Sequence, residues 1–114
     1  MKTYYPYKAT DGKHKYYIIT KTGRKLYFGA DGYNDYTIYY KEYGKEFADK
    51  KKKAYIARHK TNENWTKSGI DTAGWWSRFL IWEEPNIKDA YRKIKDKLLQ
   101  WGIISKEQYN QYVF

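Results

Sequence analysis

The sequence of 114 residues contains no cysteine, which excludes a disulfide framework and a thiolate metal site and is typical of a reducing compartment. It contains only two histidines, His14 and His59, and neither has a second histidine or a carboxylate at ligand spacing. We therefore expect the protein to hold no metal ion and no other cofactor.

Long hydrophobic runs are also absent. No apolar stretch approaches the roughly 18 to 20 residues that a membrane span needs, and the N-terminal segment "MKTYYPYKATDG" lacks the apolar centre of a signal peptide. We expect a soluble protein that makes no contact with a membrane and is not secreted.

No complete signature of catalysis is present. A serine nucleophile needs a base and an orienting group, and no such motif surrounds Ser68, Ser77 or Ser105. The adjacent carboxylates Glu83 and Glu84 do not face one another on a helix. We expect neither enzymatic activity nor a small-molecule substrate.

Positive charge and tyrosine dominate what is present. The formal net charge is +10, and 15 tyrosines contribute to an aromatic content of 21%. Such a charge favours polyanionic partners, and tyrosine is enriched at protein interfaces and on base-stacking platforms. A biased codon usage in an AT-rich genome would explain the same counts without a binding function.

The clearest strand signal is a hairpin. Two β-rich segments, residues 15–20 and 25–29, flank the Gly-containing connection "KTGR". The following "GADGYNDYTIYY" predicts a turn-rich loop and a further short strand at residues 36–40.

The second half of the chain predicts helices. A basic helix is expected over residues 45–60, with Phe47, Ala54, Tyr55 and Arg58 near one stripe. After a loop that contains Trp65, three further helical segments are predicted. These are a short helix capped by Asp71 or Thr72 and stopped before Pro85, a helix from Asn86 to Gly102, and a last turn over residues 105–114 with capping-box spacing at Ser105 and Gln108.

Together these elements predict a single α+β domain over residues 1–114. We expect a Tyr-rich β-hairpin or three-stranded meander packed on three or four short helices.

Ten cations form the candidate surface for nucleic acid or for an acidic protein partner. On one helix, several long cations would neutralise phosphates without reading bases. A solvated helix surface is the alternative explanation for the lysine run. The ten cations are Lys50, Lys51, Lys52, Lys53, Arg58, Lys60, Lys13, Lys15, Arg24 and Lys25.

Tyrosines interleave with these cations in the first quarter of the chain. They are candidates for stacking on unpaired bases or for protein interface contacts. The six are Tyr4, Tyr5, Tyr7, Tyr16, Tyr17 and Tyr27.

Four of the five tryptophans lie between residues 65 and 82: Trp65, Trp75, Trp76 and Trp82. Core packing is the favoured interpretation, with a ligand cage as the alternative. Arg78, two residues after Trp76, is expected to pair with a carboxylate or to stack on a ring.

The hairpin and the tryptophan segment together resemble a family of small uncharacterised proteins encoded by large double-stranded DNA viruses and phages. The shared pattern is a Phe-Gly and Gly-Tyr-x-Asp-Tyr-Thr hairpin end, then Arg-His-Lys, Glu-x-Trp, Gly-Ile-x-Thr-Ala-Gly and Ser-Arg-x-Leu-x-Trp. On this chain it falls on Phe28, Gly29, Gly32, Tyr33, Asp35, Tyr36, Arg58, His59, Lys60, Glu63, Trp65, Gly69, Ile70, Thr72, Ala73, Gly74, Ser77, Arg78 and Trp82. The N-terminal tail, the insertion "IYYKEYGKEFADK" and the C-terminal "GIISKEQYNQYVF" depart from it.

The resemblance implies a viral or phage origin and brings no known activity with it. The leading expectation is a non-enzymatic minor virion component, found in the virion or the host cytoplasm, that docks on protein partners in a virion-like assembly through Tyr- and Trp-rich surfaces. A sequence-nonspecific nucleic-acid-binding module and a host-directed inhibitor are the alternatives.

Overall fold

The computed structural model describes residues 1–114 as one α+β domain, which confirms the predicted fold class. Its strands are β1 (Tyr7–Lys8), β2 (His14–Ile19) and β3 (Lys25–Ala30). Its α-helices are α1 (Tyr36–Tyr43), α2 (Lys45–His59), α3 (Ala73–Trp76), α4 (Ile87–Gln100) and α5 (Lys106–Gln111). A 3-10 turn (Lys67–Gly69) precedes α3, and a π-helical segment (Ser77–Ile81) continues it.

The sheet is an antiparallel meander in the order β1-β2-β3. The strand added to the predicted hairpin is β1, which precedes it in the sequence. The prediction of a short strand at residues 36–40 is wrong. Those residues lie in α1, because the buried carboxylate of Asp35 accepts hydrogen bonds from the backbone N–H groups of Thr37 and Ile38 and so begins a helix.

The tryptophan segment supplies the centre of the core. Trp75 and Trp76 are fully buried, and the indole N–H of Trp76 donates to the Ile70 carbonyl at 2.8 Å. The Trp76 ring lies between those of Tyr4, 6.3 Å away between centroids, and Phe28, 6.1 Å away. Core packing is therefore confirmed for Trp75, Trp76 and Trp82, whereas Trp65 is half-buried.

The predicted helix caps are present. Thr72 caps α3, Asn86 caps α4 by accepting from the Asp89 N–H at 2.9 Å, and Ser105 forms a reciprocal capping box with Gln108 before α5. The π-helical continuation of α3 was not predicted.

The buried stripe of α2 differs from the predicted one. Ala48 and Tyr55 face the core, whereas Phe47, Ala54 and Arg58 are exposed. The helix packs mainly against α1, and Tyr55 stacks on Trp82. These contacts select a stripe that the weakly periodic sequence does not mark.

The two ends of the chain are joined to each other. The Tyr5 hydroxyl donates to the Val113 carbonyl at 2.7 Å, and the Thr3 and Tyr112 hydroxyls lie 3.3 Å apart. The buried Tyr91 hydroxyl donates to the Tyr4 carbonyl at 2.8 Å. The N-terminal segment is therefore clamped between α4 and the C-terminal residues.

Candidate functional site

One tyrosine from each strand forms a row across the solvent face of the sheet. Tyr7 lies directly opposite Tyr17, and Tyr17 lies directly opposite Tyr27. Their ring centroids are 5.5 Å and 5.3 Å apart, and all three side chains are partly exposed. We call Tyr7, Tyr17 and Tyr27 the tyrosine row.

Strand alternation explains why these rings face solvent. Successive side chains of a strand point to opposite faces, and the neighbours Ile18, Leu26 and Phe28 are buried against the helices. The same register that fills the core therefore leaves Tyr17 and Tyr27 on the outer face.

Cationic and imidazole groups border the tyrosine row. The Lys25 Nζ lies 5.1 Å from the centroid of the Tyr17 ring, and the His14 ring lies 5.5 Å from that of Tyr27. Asp11 holds His14 through a contact of 2.6 Å between Oδ2 and Nδ1. This hydrogen bond lowers the pKa of the Asp11 carboxyl to about 2. The sequence interpretation missed this carboxylate, three residues before His14.

The other three predicted tyrosines are not in the row. Tyr4 is buried and its hydroxyl donates to Asp71 at 2.8 Å. Tyr16 faces inward onto Phe28, with the ring centroids 6.1 Å apart. Tyr5 packs among the aromatic rings of Tyr91, Tyr112 and Phe114. The prediction that Tyr4 stacks on a partner is therefore wrong, because its side chain is buried in the core. Tyr16 is partly buried, and its contact with a partner stays a prediction.

Lys15 does not belong to the predicted binding surface. Its Nζ donates to the Asp35 carboxylate at 2.7 Å and to the Tyr33 carbonyl, and the side chains of Lys15 and Asp35 are only 14% and 5% exposed. A buried pair of this kind neutralises the lysine, so Lys15 has no charge to offer a phosphate.

Four more of the ten cations contact other groups of the protein, two of them through hydrogen bonds and two over aromatic rings that leave their charge unpaired. Lys52 donates to the Glu83 carbonyl at 2.9 Å, and Arg24 donates to the Asp71 carbonyl at 3.2 Å. Lys51 lies over the rings of Tyr39 and Phe47, and Lys25 lies over the tyrosine row. The remaining five are exposed and form no ion pair: Lys13, Lys50, Lys53, Arg58 and Lys60.

The hairpin cations and the helix cations are carried on separate elements. Lys50, Lys53 and Lys60 lie on the outward side of α2, opposite the buried Ala48 and Tyr55. The main packing partner of α2 is α1, so these cations and the tyrosine row lie on different parts of the fold.

Arg78 makes both of its predicted contacts. Its Nη1 donates to the Glu83 carboxylate at 2.6 Å, and its guanidinium carbon lies 5.7 Å from the centroid of the Trp65 ring. Burial alone would raise the pKa of Glu83, but the hydrogen bond from Arg78 and the charges of Lys52 and Lys93 outweigh it and lower the pKa. Arg78 therefore has a structural role, because it joins Trp65 to Glu83 in the segment that precedes α4.

A cleft that the sequence did not predict lies between the end of β3, α1, α2 and α3. It has a volume of about 500 Å³. Several polar and aromatic side chains line it: Tyr55, Arg58, His59, Glu63, Ser77 and Trp82. All except Tyr55 belong to the pattern on which the viral resemblance rests. Their concentration in one place is the sequence signal by which this region could have been found.

Two general properties of the structure bear on function. Nowhere in the chain do three or more histidine, aspartate or glutamate side chains converge in an arrangement able to hold a metal ion. None of the helices has the length and apolar character needed to cross a membrane.

Comparison with family models, with curated protein sequences and with solved structures finds no match to this chain. The viral resemblance stays a prediction.

Proposed function

We propose that the protein is a non-enzymatic module that binds single-stranded nucleic acid on the outer face of its sheet. The observation that carries the proposal is the tyrosine row, in which three strands in register present three partly exposed rings side by side. Sheets that present aromatic rings in this way are a common means of stacking unpaired bases.

Stacking supplies the affinity and tolerates any sequence. Each base stacked on an aromatic side chain contributes about 1–3 kcal/mol, and every base has a face to offer. The row accommodates two or three bases, because its neighbouring rings lie 5.3–5.5 Å apart. A duplex keeps its bases stacked on one another, so it gains little from these rings.

Positive charge near the row supplies phosphate contacts. Residues 1–30 contain seven lysines and arginines against the single acidic residue Asp11, a balance of 7 − 1 = +6. Lys25 lies against the row itself, and Lys13 is exposed beside His14. Such contacts hold a nucleic-acid backbone without reading its sequence.

Fluorescence anisotropy of a labelled thymidine oligonucleotide, and of a duplex of the same length, tests the proposal. We expect tighter binding of the single strand and a steep loss of affinity with salt. Tyr17→Leu removes the central ring and should weaken binding roughly 5- to 150-fold, the cost of one stacked base. Lys25→Gln should reduce the salt slope by about one phosphate contact.

Tyr43→Leu is the matched control, since Tyr43 is 58% exposed on α1, outside the row. Equal binding of single and double strands, or an equal effect of Tyr17→Leu and Tyr43→Leu, would contradict a stacking function for the row.

A second candidate is a docked component of a larger protein assembly, such as the virion that the resemblance implies. An exposed aromatic patch favours it: the rings of Tyr43 and Phe47 lie 4.7 Å apart, Tyr39 adjoins them, and Lys51 covers the patch. Aromatic side chains with a basic rim are typical of protein interfaces. Mass spectrometry of virions together with the solution mass of the purified protein tests this role, and a monomer that is absent from virions would refute it.

A further inference from the structure

The cleft contains polar groups that the fold leaves without partners. The Tyr55 side chain is only 7% exposed, yet its hydroxyl forms no hydrogen bond with another protein group. The Ser77 hydroxyl, the Glu63 carboxylate and the Arg58 guanidinium likewise have no hydrogen-bond or ion-pair partner within the chain. These groups are not sealed from solvent, because Trp75 Nε1 is the one fully buried side-chain nitrogen or oxygen without a partner. They line the cleft with hydrogen-bonding capacity left for a ligand. Elsewhere in the same cleft Lys15 and Asp35 pair with each other at 2.7 Å.

The Glu63 carboxylate reaches the cleft because residue 74 has no side chain. A Cβ placed on Gly74 would lie only 1.5 Å from Glu63 Oε2. Burial and, to a smaller extent, the nearby charge of Glu63 raise the pKa of Tyr55 to about 12, although the charges of Arg78 and Arg58 oppose the rise. The carboxylate, the tyrosine hydroxyl and the arginine are therefore close enough to influence one another across the cleft.

Aromatic rings form one wall between these charges. The Tyr55 ring is stacked between Trp82, at 4.3 Å between centroids and 2° between planes, and His59, at 4.4 Å. Both faces of the Tyr55 ring are covered, but all three residues line the cleft, so the stack forms an apolar wall beside the polar groups. The volume of about 500 Å³ is within the range of small-molecule sites, roughly 300–1,000 Å³.

A ligand that satisfies the cleft must carry an anionic group at one end and hydrogen-bond donors on a planar group at the other. Arg58 and Lys51 both line the cleft and favour the anion, with the guanidinium able to bind a phosphate through two parallel hydrogen bonds. Glu63 also lines the cleft, and its carboxylate accepts hydrogen bonds. Guanine presents two adjacent N–H donors on its pairing edge, which match the two oxygens of one carboxylate, whereas adenine presents one donor beside an acceptor.

We propose that this cleft binds a guanine mononucleotide. Its phosphate contacts Arg58 and Lys51, its base lies against the aromatic wall, and its pairing edge donates to Glu63. This site goes beyond the single-strand function proposed above, because it uses none of the residues of the tyrosine row.

Titration calorimetry with guanosine monophosphate, adenosine monophosphate, guanosine and inorganic phosphate tests the proposal on the full chain. We expect guanosine monophosphate to bind at least about tenfold more tightly than each of the other three, because each of them loses a charge-assisted hydrogen bond. Glu63→Gln should remove the preference for guanine over adenine. Arg58→Gln should weaken the nucleotide roughly tenfold and leave guanosine unchanged.

Two further variants guard against loss of folding as an explanation. Gly74→Ala keeps the helical backbone but pushes the Glu63 carboxylate out of the cleft, so it should reproduce Glu63→Gln. Lys50→Gln removes a cation of α2 that faces away from the cleft and should change nothing.

No binding of guanosine monophosphate at millimolar concentration would overturn the proposal. Equal binding of the two nucleotides would also overturn it, as would binding of inorganic phosphate as tightly as the nucleotide. The two functions fail separately: Glu63→Gln should not affect the thymidine oligonucleotide, and Tyr17→Leu should not affect the mononucleotide.

Discussion

Two glycines only five residues apart should respond in opposite ways to the same methyl group. At Gly69 a Cβ would lie 1.8 Å from the Asn64 carbonyl oxygen and 2.8 Å from the carbonyl carbon, both backbone atoms. At Gly74 the nearest atoms belong to the Glu63 carboxylate, the end of a flexible side chain. Only the first contact requires the backbone to move.

Gly69→Ala should therefore be strongly destabilising. Ordinary van der Waals contact begins near 3.4 Å, so the turn at Asn64 and the 3-10 turn must separate by more than 1 Å. That movement would disturb the Gly69 carbonyl, which accepts from the Thr72 hydroxyl at 2.7 Å at the start of α3. Overpacking typically costs about 1–3 kcal/mol, and a rigid neighbour places this case near 3 kcal/mol, or roughly 10–15 °C in Tm.

Gly74→Ala should leave stability unchanged or slightly raised, because alanine favours a helix by up to about 1 kcal/mol over glycine. Urea unfolding followed by tryptophan fluorescence measures both variants, with far-UV circular dichroism as a check on helix content. If Gly69→Ala costs less than about 0.5 kcal/mol, the level of an ordinary surface substitution, the reasoning from close backbone approach is refuted. A large loss in Gly74→Ala would refute the reasoning from side-chain flexibility.

Three other perturbations follow from charges and hydroxyls in the fold. Lys15→Ala strands the buried Asp35 carboxylate and should lower the free energy of unfolding by about 3 kcal/mol, whereas Lys45→Ala breaks an exposed pair with Asp49 and should leave the urea midpoint unchanged. At high pH, burial keeps the pKa of Tyr4 and Tyr55 near 12 against 10.0 for a solvated tyrosine. The contribution of these tyrosines to the free energy of unfolding should therefore be constant below pH 10 and be lost between pH 10 and 12, because the unfolded chain loses its tyrosine protons first; a flat profile in that window would contradict the burial argument. At low pH, the lowered pKa of Glu83 makes its contribution present above a pH of about 4.5 and lost as the pH falls below it, so Glu83→Gln should lower the urea midpoint at pH 7 and make it less sensitive to acid.

Local signals predicted the hairpin and α4 well. The hairpin has a Gly-containing turn between two β-rich segments, and α4 has the cap Asn86 and apolar residues at helical spacing. These features depend on neighbours in sequence, so they survive any tertiary arrangement.

The segment "YTIYY" shows where such signals fail. Tyrosine, threonine and isoleucine all favour strands, yet the Asp35 cap and the packing of α1 on α2 select a helix. The outcome depends on the partner that covers Tyr36, which is distant in sequence.

The tyrosine row and the cleft likewise depend on tertiary packing that local sequence signals do not reveal. Alternation along β2 places Tyr16 and Tyr17 on opposite faces, but which face is the outer one depends on what covers the other. The cleft brings Arg58, Glu63 and Ser77 together from three segments, and no local pattern measures the distances between them.

The joined chain ends have a consequence for synthesis. During synthesis residues 1–7 are made well before the groups that hold them, on α4 and at Tyr112 and Val113. The domain therefore closes only after both segments have left the ribosome, through contacts of long sequence separation. The same proximity makes a circular permutant feasible: a short linker from Phe114 to Met1, with new ends opened in the exposed tip at Thr22 and Gly23, would let these elements form together.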